Sequence, residues 1–248
     1  MDKQYKVALD DGHGMETPGK RTPRFADGSF MHENEFNRRV VELLAIELKR
    51  SGIQVLLVAP GDRDVPLSER TTAANMAGAD LYLSVHANAY GDGSFNGTSG
   101  VETLYKPGNI SSAQFAEILQ RRLVKGTKQT DRGLKERNDL HVLNATRMPA
   151  ALVECGFMTN SPEATLLRSD SFRKECASEL AQGVCEYFGI TYQGEVEEVN
   201  KAKTIINGQP AADAILLENS TYIKVSELKK LGINVEWDNI TKTVSLTK

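Results

Sequence analysis

Long apolar runs are missing from this chain of 248 residues. None approaches the roughly 20 residues needed to cross a bilayer, which excludes a helical membrane span. Cysteine is scarce. Cys155, Cys176 and Cys185 are the whole complement, and an odd count argues against a disulfide framework. Cys176 and Cys185 fall in one expected helix, on opposite faces and ~13.5 Å apart in rise, too far to pair. All three are therefore expected to be reduced and structural. A dominant charge is missing too. The formal net charge of -3 excludes long-range attraction to nucleic acid or an anionic membrane as the organising principle. The opening MDKQYKVALDDGHG shows no signal-peptide pattern, so synthesis in the cytosol is expected.

The length favours one full domain with room for a small second one. Hydrophobic residues make up 40% and charged residues 25%, as in ordinary globular proteins. Strand-like runs are read at Lys6 to Asp10, Gln54 to Val58, Leu81 to Val85, Val101 to Tyr105 and Ala151 to Glu154. Between them, helical spacing appears over Glu33 to Arg50, with Phe36, Val40, Val41, Leu44 and Leu48 on one face. Further helices are expected from Ser68, taken as an N-cap, to Ala77, from Ser111 to Lys125 and from Ser171 to Phe188. This alternation predicts an α/β fold, a mostly parallel sheet flanked by helices on both faces. Two stretches lack periodicity: Met15 to Met31, and the basic, glycine-punctuated Gly126 to Arg137. Both are read as loops, and loops of that length inside a compact domain are usually functional.

Polar residues stand at the ends of several of these strands. His13 follows the run Val7 to Leu9, His86 closes LYLSVHAN, and Glu154 closes AALVE. Glu33 opens the first helix. Open α/β sheets bind ligands at strand ends, and two histidines with a glutamate form the ligand set of a catalytic zinc site with one position open. A metal hydrolase also needs a base, and Glu154 is placed to shuttle the proton. His32 stands beside Glu33 as a further imidazole, and Glu35 reads as a solvated helix charge. Cys155 invites a thiol-nucleophile reading, but a strand cysteine is better explained as a small buried apolar residue.

Five segments carry a resemblance: DDGHGM, HENEFNRRVVELLAIELKRSG, LSERTTAANMAGADLYLSVHANA, GVETLY and MPAALVECGFMTNSPEATLL. In this order and spacing, from about Lys6 to Phe188, the chain resembles the zinc-dependent N-acetylmuramoyl-L-alanine amidases of the Amidase_3 type. The resemblance implies Zn²⁺ on His13, Glu33 and His86, with Asn37 four residues after the glutamate, and Glu154 as catalytic residue. It further implies hydrolysis of the amide between N-acetylmuramic acid and L-alanine in peptidoglycan. Asp11 stands where many relatives have proline, and His141 where they often have an aromatic residue. Asn88, Arg132 and Leu134 are candidate substrate contacts, and Lys135 and Arg137 could join Arg132 in meeting stem-peptide carboxylates.

Residues 1–190 are expected to form the catalytic domain, 191–202 an acidic linker and 203–248 a small α+β accessory domain. That tail resembles copper amine oxidase N-terminal-like stalk domains. It contains no histidine or cysteine, so it offers copper no imidazole or soft ligand. Wall attachment is its expected role, with pairing of two chains into a homodimer, or service as a plain spacer, as the alternatives. Without a signal peptide, the favoured setting is a phage or prophage endolysin released onto the wall during host lysis. A mother-cell or housekeeping wall hydrolase, a zinc peptidase acting on the stem peptide, and a non-catalytic wall-binding protein are the other readings.

Overall fold

The computed structural model describes residues 3–194 throughout; beyond them it describes Lys229 and the strands at 200–206, 209–217, 220–223, 234–238 and 243–247. The chain divides into two units, Met1–Glu195 and Val196–Lys248.

The first unit is built on a six-stranded sheet. Its strands are β1 (Lys6–Asp11), β2 (Gln54–Leu57), β3 (Leu81–Asn88), β4 (Val101–Tyr105), β5 (Asp131–Glu136) and β6 (Ala150–Phe157), in the order β2-β1-β3-β6-β4-β5. The pairs β1–β2, β1–β3, β3–β6 and β4–β5 run parallel, while β4 lies antiparallel on β6. The helices are α1 (Glu33–Arg50), α2 (Leu67–Met76), α3 (Ile110–Thr127), α4 (His141–Asn144), α5 (Ser161–Arg168) and α6 (Asp170–Phe188).

Strand alternation sorts the core onto two faces. Val7, Leu9, Leu83, Val85, Ala151, Val153 and Cys155 pack with Phe36, Val40, Leu44, Phe115, Leu119 and Leu180 of α1, α3 and α6. Their neighbours Ala8, Tyr82, Ala150 and Leu152 meet Ala74 of α2 and Val142 and Leu143 of α4 on the other face. The apolar stripe on α1 explains its register: Phe36, Val40, Leu44 and Leu48 are all fully buried, each worth ~1.5–3 kcal/mol of transfer free energy. The expected mostly parallel, doubly covered sheet is the observed one.

Several boundaries differ from the sequence reading. Ser68 lies inside α2; Pro66 occupies the N-cap position, where its fixed φ of -54° suits a helix entry. The segment from Gly126 to Arg137 is not a loop, since Asp131–Glu136 pairs with β4 as an edge strand. Its charges hid it, because an edge strand facing solvent need not alternate. Helix α5 lacks a long apolar period, and Asn160 caps it by accepting from the Glu163 N–H at 3.1 Å.

In the second unit, β7 (Asn200–Ile206), β8 (Gln209–Leu217) and β9 (Ser220–Ile223) form an antiparallel three-stranded sheet. Strands β10 (Asn234–Asp238) and β11 (Thr243–Thr247) form an antiparallel pair. Strand β7 begins at Asn200, within the stretch expected to be linker. Asn207-Gly208, Asn219 and Asn239, residue types common in turns, lie outside the described residues, as does most of ELKKLG.

Candidate metal centre and catalytic carboxylate

The site lies at the carboxyl ends of β1, β3 and β6. His13 follows β1 and takes φ +65°, a left-handed backbone that costs a non-glycine residue of order 1 kcal/mol and needs support. That support is visible. Its carbonyl accepts from Asn34 Nδ2 at 3.2 Å and from Arg70 Nη2 at 3.1 Å. His86 comes from β3, and Glu33 is the first residue of α1, nearly fully buried. One ligand atom from each of His13, Glu33 and His86 falls within 4.8 Å of the others. His13 Nε2 is 3.4 Å from Glu33 Oε2, and His86 Nδ1 is 2.9 Å from Glu33 Oε1. The two distances reach different oxygens of Glu33, and the three groups together are close enough for a single ion to contact all of them.

Hydrogen-bond bookkeeping around His86 makes the same point. Ser84 has one hydroxyl proton, donated to Asp10 Oδ2 at 2.7 Å, while Asp10 Oδ1 accepts from Arg70 Nη1 at 2.6 Å. His86 Nε2, 3.1 Å from Ser84 Oγ, must therefore donate. A neutral His86 then turns the Nδ1 lone pair toward the Glu33 carboxylate, an arrangement that requires a proton or a cation between them. The residues present fit a divalent ion.

Charge shifts follow from burial and proximity. Burial pushes His13 down to about 4, outweighing the attraction of Glu33. Burial also opposes charge on His86 and Glu33, but their mutual hydrogen bond and attraction prevail, raising the imidazole and lowering the carboxyl. Glu154 moves the other way. Burial, with the nearby Glu33 and Glu102 charges, lifts it to about 8 against the pull of His86. It sits opposite His86 in the β3–β6 register, and its Oε2 is buried without a hydrogen-bond partner. Glu154 and both histidines line one cavity of about 230 Å³, shared with Lys20, Arg137, Leu140 and His141.

Three supporting residues escaped the sequence reading: Asp10, Arg70 and Gly12. Arg70 on α2 is 1% exposed and uses all five donors. They reach Val65 O (2.7 Å), Asp10 Oδ1 (2.6 Å), Asp11 O (3.0 Å), His13 O (3.1 Å) and Asp64 Oδ1 (3.1 Å). A charged residue in the polar string LSERTTAAN carries no periodic signal of burial. Gly12 has no room for a side chain, since a Cβ would stand 2.1 Å from His86 Cε1. Asn37 bridges the parts, with Nδ2 2.9 Å from Gly12 O and 3.3 Å from Glu33 Oε1.

The remaining candidates are scattered. Asn88 and Arg132 converge on one carboxylate, donating to Glu102 Oε1 and Oε2 at 2.9 and 2.8 Å. Glu102 is the cross-strand partner of Glu154. Leu134 instead packs against the core under α3 and α6. Arg137 is paired with Asp139 at 2.7 Å, and Lys135 Nζ donates to Arg132 O. His141 is exposed and 3.2 Å from Thr71 Oγ1. The His32 N–H donates to Glu35 Oε1 at 2.8 Å, tying Glu35 to the start of α1. Cys155, Cys176 and Cys185 are free and buried, and Cys155 lies in the core on the face of β6 opposite Leu152. That burial removes the thiol-nucleophile reading.

Known proteins bring the same picture. The YqiI protein of Bacillus subtilis is 32% identical over 184 residues, covering 73% of this chain and 84% of its own. The N-acetylmuramoyl-L-alanine amidase CwlM of Bacillus licheniformis is 33% identical over 188 residues, 75% of this chain and 70% of its own. The crystal structure of an N-acetylmuramoyl-L-alanine amidase from Clostridium difficile 630 superposes with TM-score 0.69 at 31% identity, covering 76% of this chain and 98% of that one. The family Amidase_3, described as N-acetylmuramoyl-L-alanine amidase, matches residues 7–186. With its fold and most of its length accounted for in this way, the chain belongs to the Amidase_3 family of N-acetylmuramoyl-L-alanine amidases.

Proposed function

We propose that this amidase is zinc-dependent, with His13, Glu33 and His86 holding the ion and Glu154 moving the proton. Bound there, Zn²⁺ would supply Lewis acidity toward the scissile carbonyl and lower the pKa of a water toward neutrality. The protein's own part is positional. Glu154, raised to about 8 by burial first and then by neighbouring carboxylates, has a high proton affinity, so its ionised form would take a proton firmly and its acid form would hand one to the departing alanine nitrogen. Asp10, Ser84 and Arg70 fix the ring of His86 and the carbonyl of His13. The observation that carries the reading is the buried, unpartnered Glu154 Oε2 in the cavity shared with both histidines.

The test is Glu154→Gln. Release of new alanine amino groups from purified walls should fall at least 100-fold, with zinc content unchanged by elemental analysis. Parental turnover in that variant would remove Glu154 from its role. Mass spectrometry of the digest separates an amidase, which leaves glycan free of peptide, from a peptidase cutting within the stem.

An endolysin role is supported by the endolysin of Bacillus phage SPP1, 34% identical over 192 residues, 74% of this chain and 66% of its own. Complementation of an endolysin-deficient phage should restore host lysis. Failure there, with full activity on isolated walls, would favour a mother-cell or housekeeping setting. For residues 203–248 the proposed role is wall attachment, read by co-sedimentation of the whole chain with walls. Sedimentation velocity tests the pairing alternative.

A further inference from the structure

The long segment from Met15 to Met31 is not used by the chemistry above, yet it is built with care. Arg21 and Arg24 both lie over the ring of Phe30, their guanidinium carbons 4.8 and 5.0 Å from its centroid. Arg24 Nη1 is tied back to Gly28 O at 2.6 Å. Phe25 packs on Phe95 with centroids 5.6 Å apart, and Arg168 lies 4.6 Å over Phe25. These residues come from the connections that follow β1, β3 and β6, the strands that carry or lead to His13, His86 and Glu154. The cluster therefore stands on the rim of the site. Lys20 joins the two: its side chain lines the catalytic cavity, and its carbonyl accepts from the Glu33 N–H at 2.9 Å.

The basic side chains of this segment, Lys20, Arg21 and Arg24, are exposed and form no ion pair among the described residues, although Lys20 is near enough to Glu33 and Glu154 to feel their charge. Of the segment's two acids, Glu16 is exposed and enters no ion pair among the described residues, and Asp27 is bound to the Ser29 N–H and hydroxyl and lies near Arg168. The basic residues first expected to meet substrate differ in this respect. Arg132 is already neutralised by Glu102 and Arg137 by Asp139. Contact with Phe30 places both guanidinium groups over one ring, and a guanidinium offers a carboxylate several N–H donors.

We propose that Lys20, Arg21 and Arg24 form a cationic rail that binds the free α-carboxylates of the stem peptide, with Lys20 nearest the scissile amide. The proposal rests on the amidase reading, because it takes the occupant to be the peptide whose amide lies in the adjoining cavity. The rail is a binding and specificity element and moves no proton.

The experiment uses two soluble muramoyl peptides that differ only in whether the second residue's α-carboxyl is free or amidated. The full zinc-loaded chain should prefer the free acid by about tenfold in KM, as two or three partly exposed contacts would give. Arg21→Gln/Arg24→Gln and Lys20→Met should each erode that preference, while Arg21→Lys/Arg24→Lys should keep most of it. Binding of both peptides to full-length Glu154→Gln, followed by calorimetry, gives the same comparison without turnover, and there too the free acid should bind tighter. Undiminished preference in the Gln and Met variants, equal losses on both peptides, or equal binding of the two by Glu154→Gln would overturn the rail. Failure of the parent chain to release an alanine amine from either peptide would overturn the amidase reading, and the calorimetry would still judge the rail.

Discussion

Replacing Arg70 tests whether the site is held from beneath. The side chain is buried and spends every donor, two of them on carboxylates and three on carbonyls, including that of His13. Removing it by Arg70→Ala leaves the buried Asp10 charge without its partner and frees the left-handed turn at His13. Breaking a buried pair by deleting one member costs about 3–5 kcal/mol. For a domain of this size that is about a third of a typical stability and about 6–20 °C in Tm. Arg70→Lys, with three donors on a point charge, should recover only part of the loss. Urea unfolding of the metal-free chain gives the stability change, and chelator competition gives zinc affinity, expected to fall about 10–100-fold as His86 and His13 lose their supports. A stability change below about 1 kcal/mol with unaltered zinc affinity would refute the argument that this network fixes the ligands.

Gly12→Ala should abolish metal binding, because the new methyl would overlap the His86 ring while the Gly12 N–H is fixed to Val85 O at 3.1 Å; retained zinc content would show that the turn can yield. Burial raises Glu154 to about 8 in the fold, above its unfolded value, so its contribution is fully present below about pH 4.5 and is lost as pH rises through about 8. Glu154→Gln should flatten that dependence in metal-free protein, with a higher Tm than the parent at pH 9; parallel Tm–pH curves would contradict it. Cys155→Ala should leave turnover within about twofold while lowering stability by about 1 kcal/mol, and loss of activity at parental stability would reopen thiol chemistry.

Much was legible because it is local. The stripe Phe36, Val40, Val41, Leu44 and Leu48 announces α1, and the runs before His13, His86 and Glu154 announce buried strands. Edge strand β5 was not legible, since its charges face solvent and its pairing partner is remote in sequence. The supports of the site were hidden for the same reason. Asp10 and Arg70 are 60 positions apart, and no spacing rule joins them.

The sequence by itself determined the alternating α/β order, the reduced state of its cysteines and the placing of imidazole and carboxylate at strand ends. Only the tertiary structure decided that three of those groups lie within 4.8 Å of one another, that Glu154 Oε2 is buried without a hydrogen-bond partner, and that Lys20, Arg21 and Arg24 form no ion pair among the described residues. Periodicity reports which way a residue faces along its own element. Convergence, burial and ion pairing depend on distances between elements, and those exist only once the chain has folded.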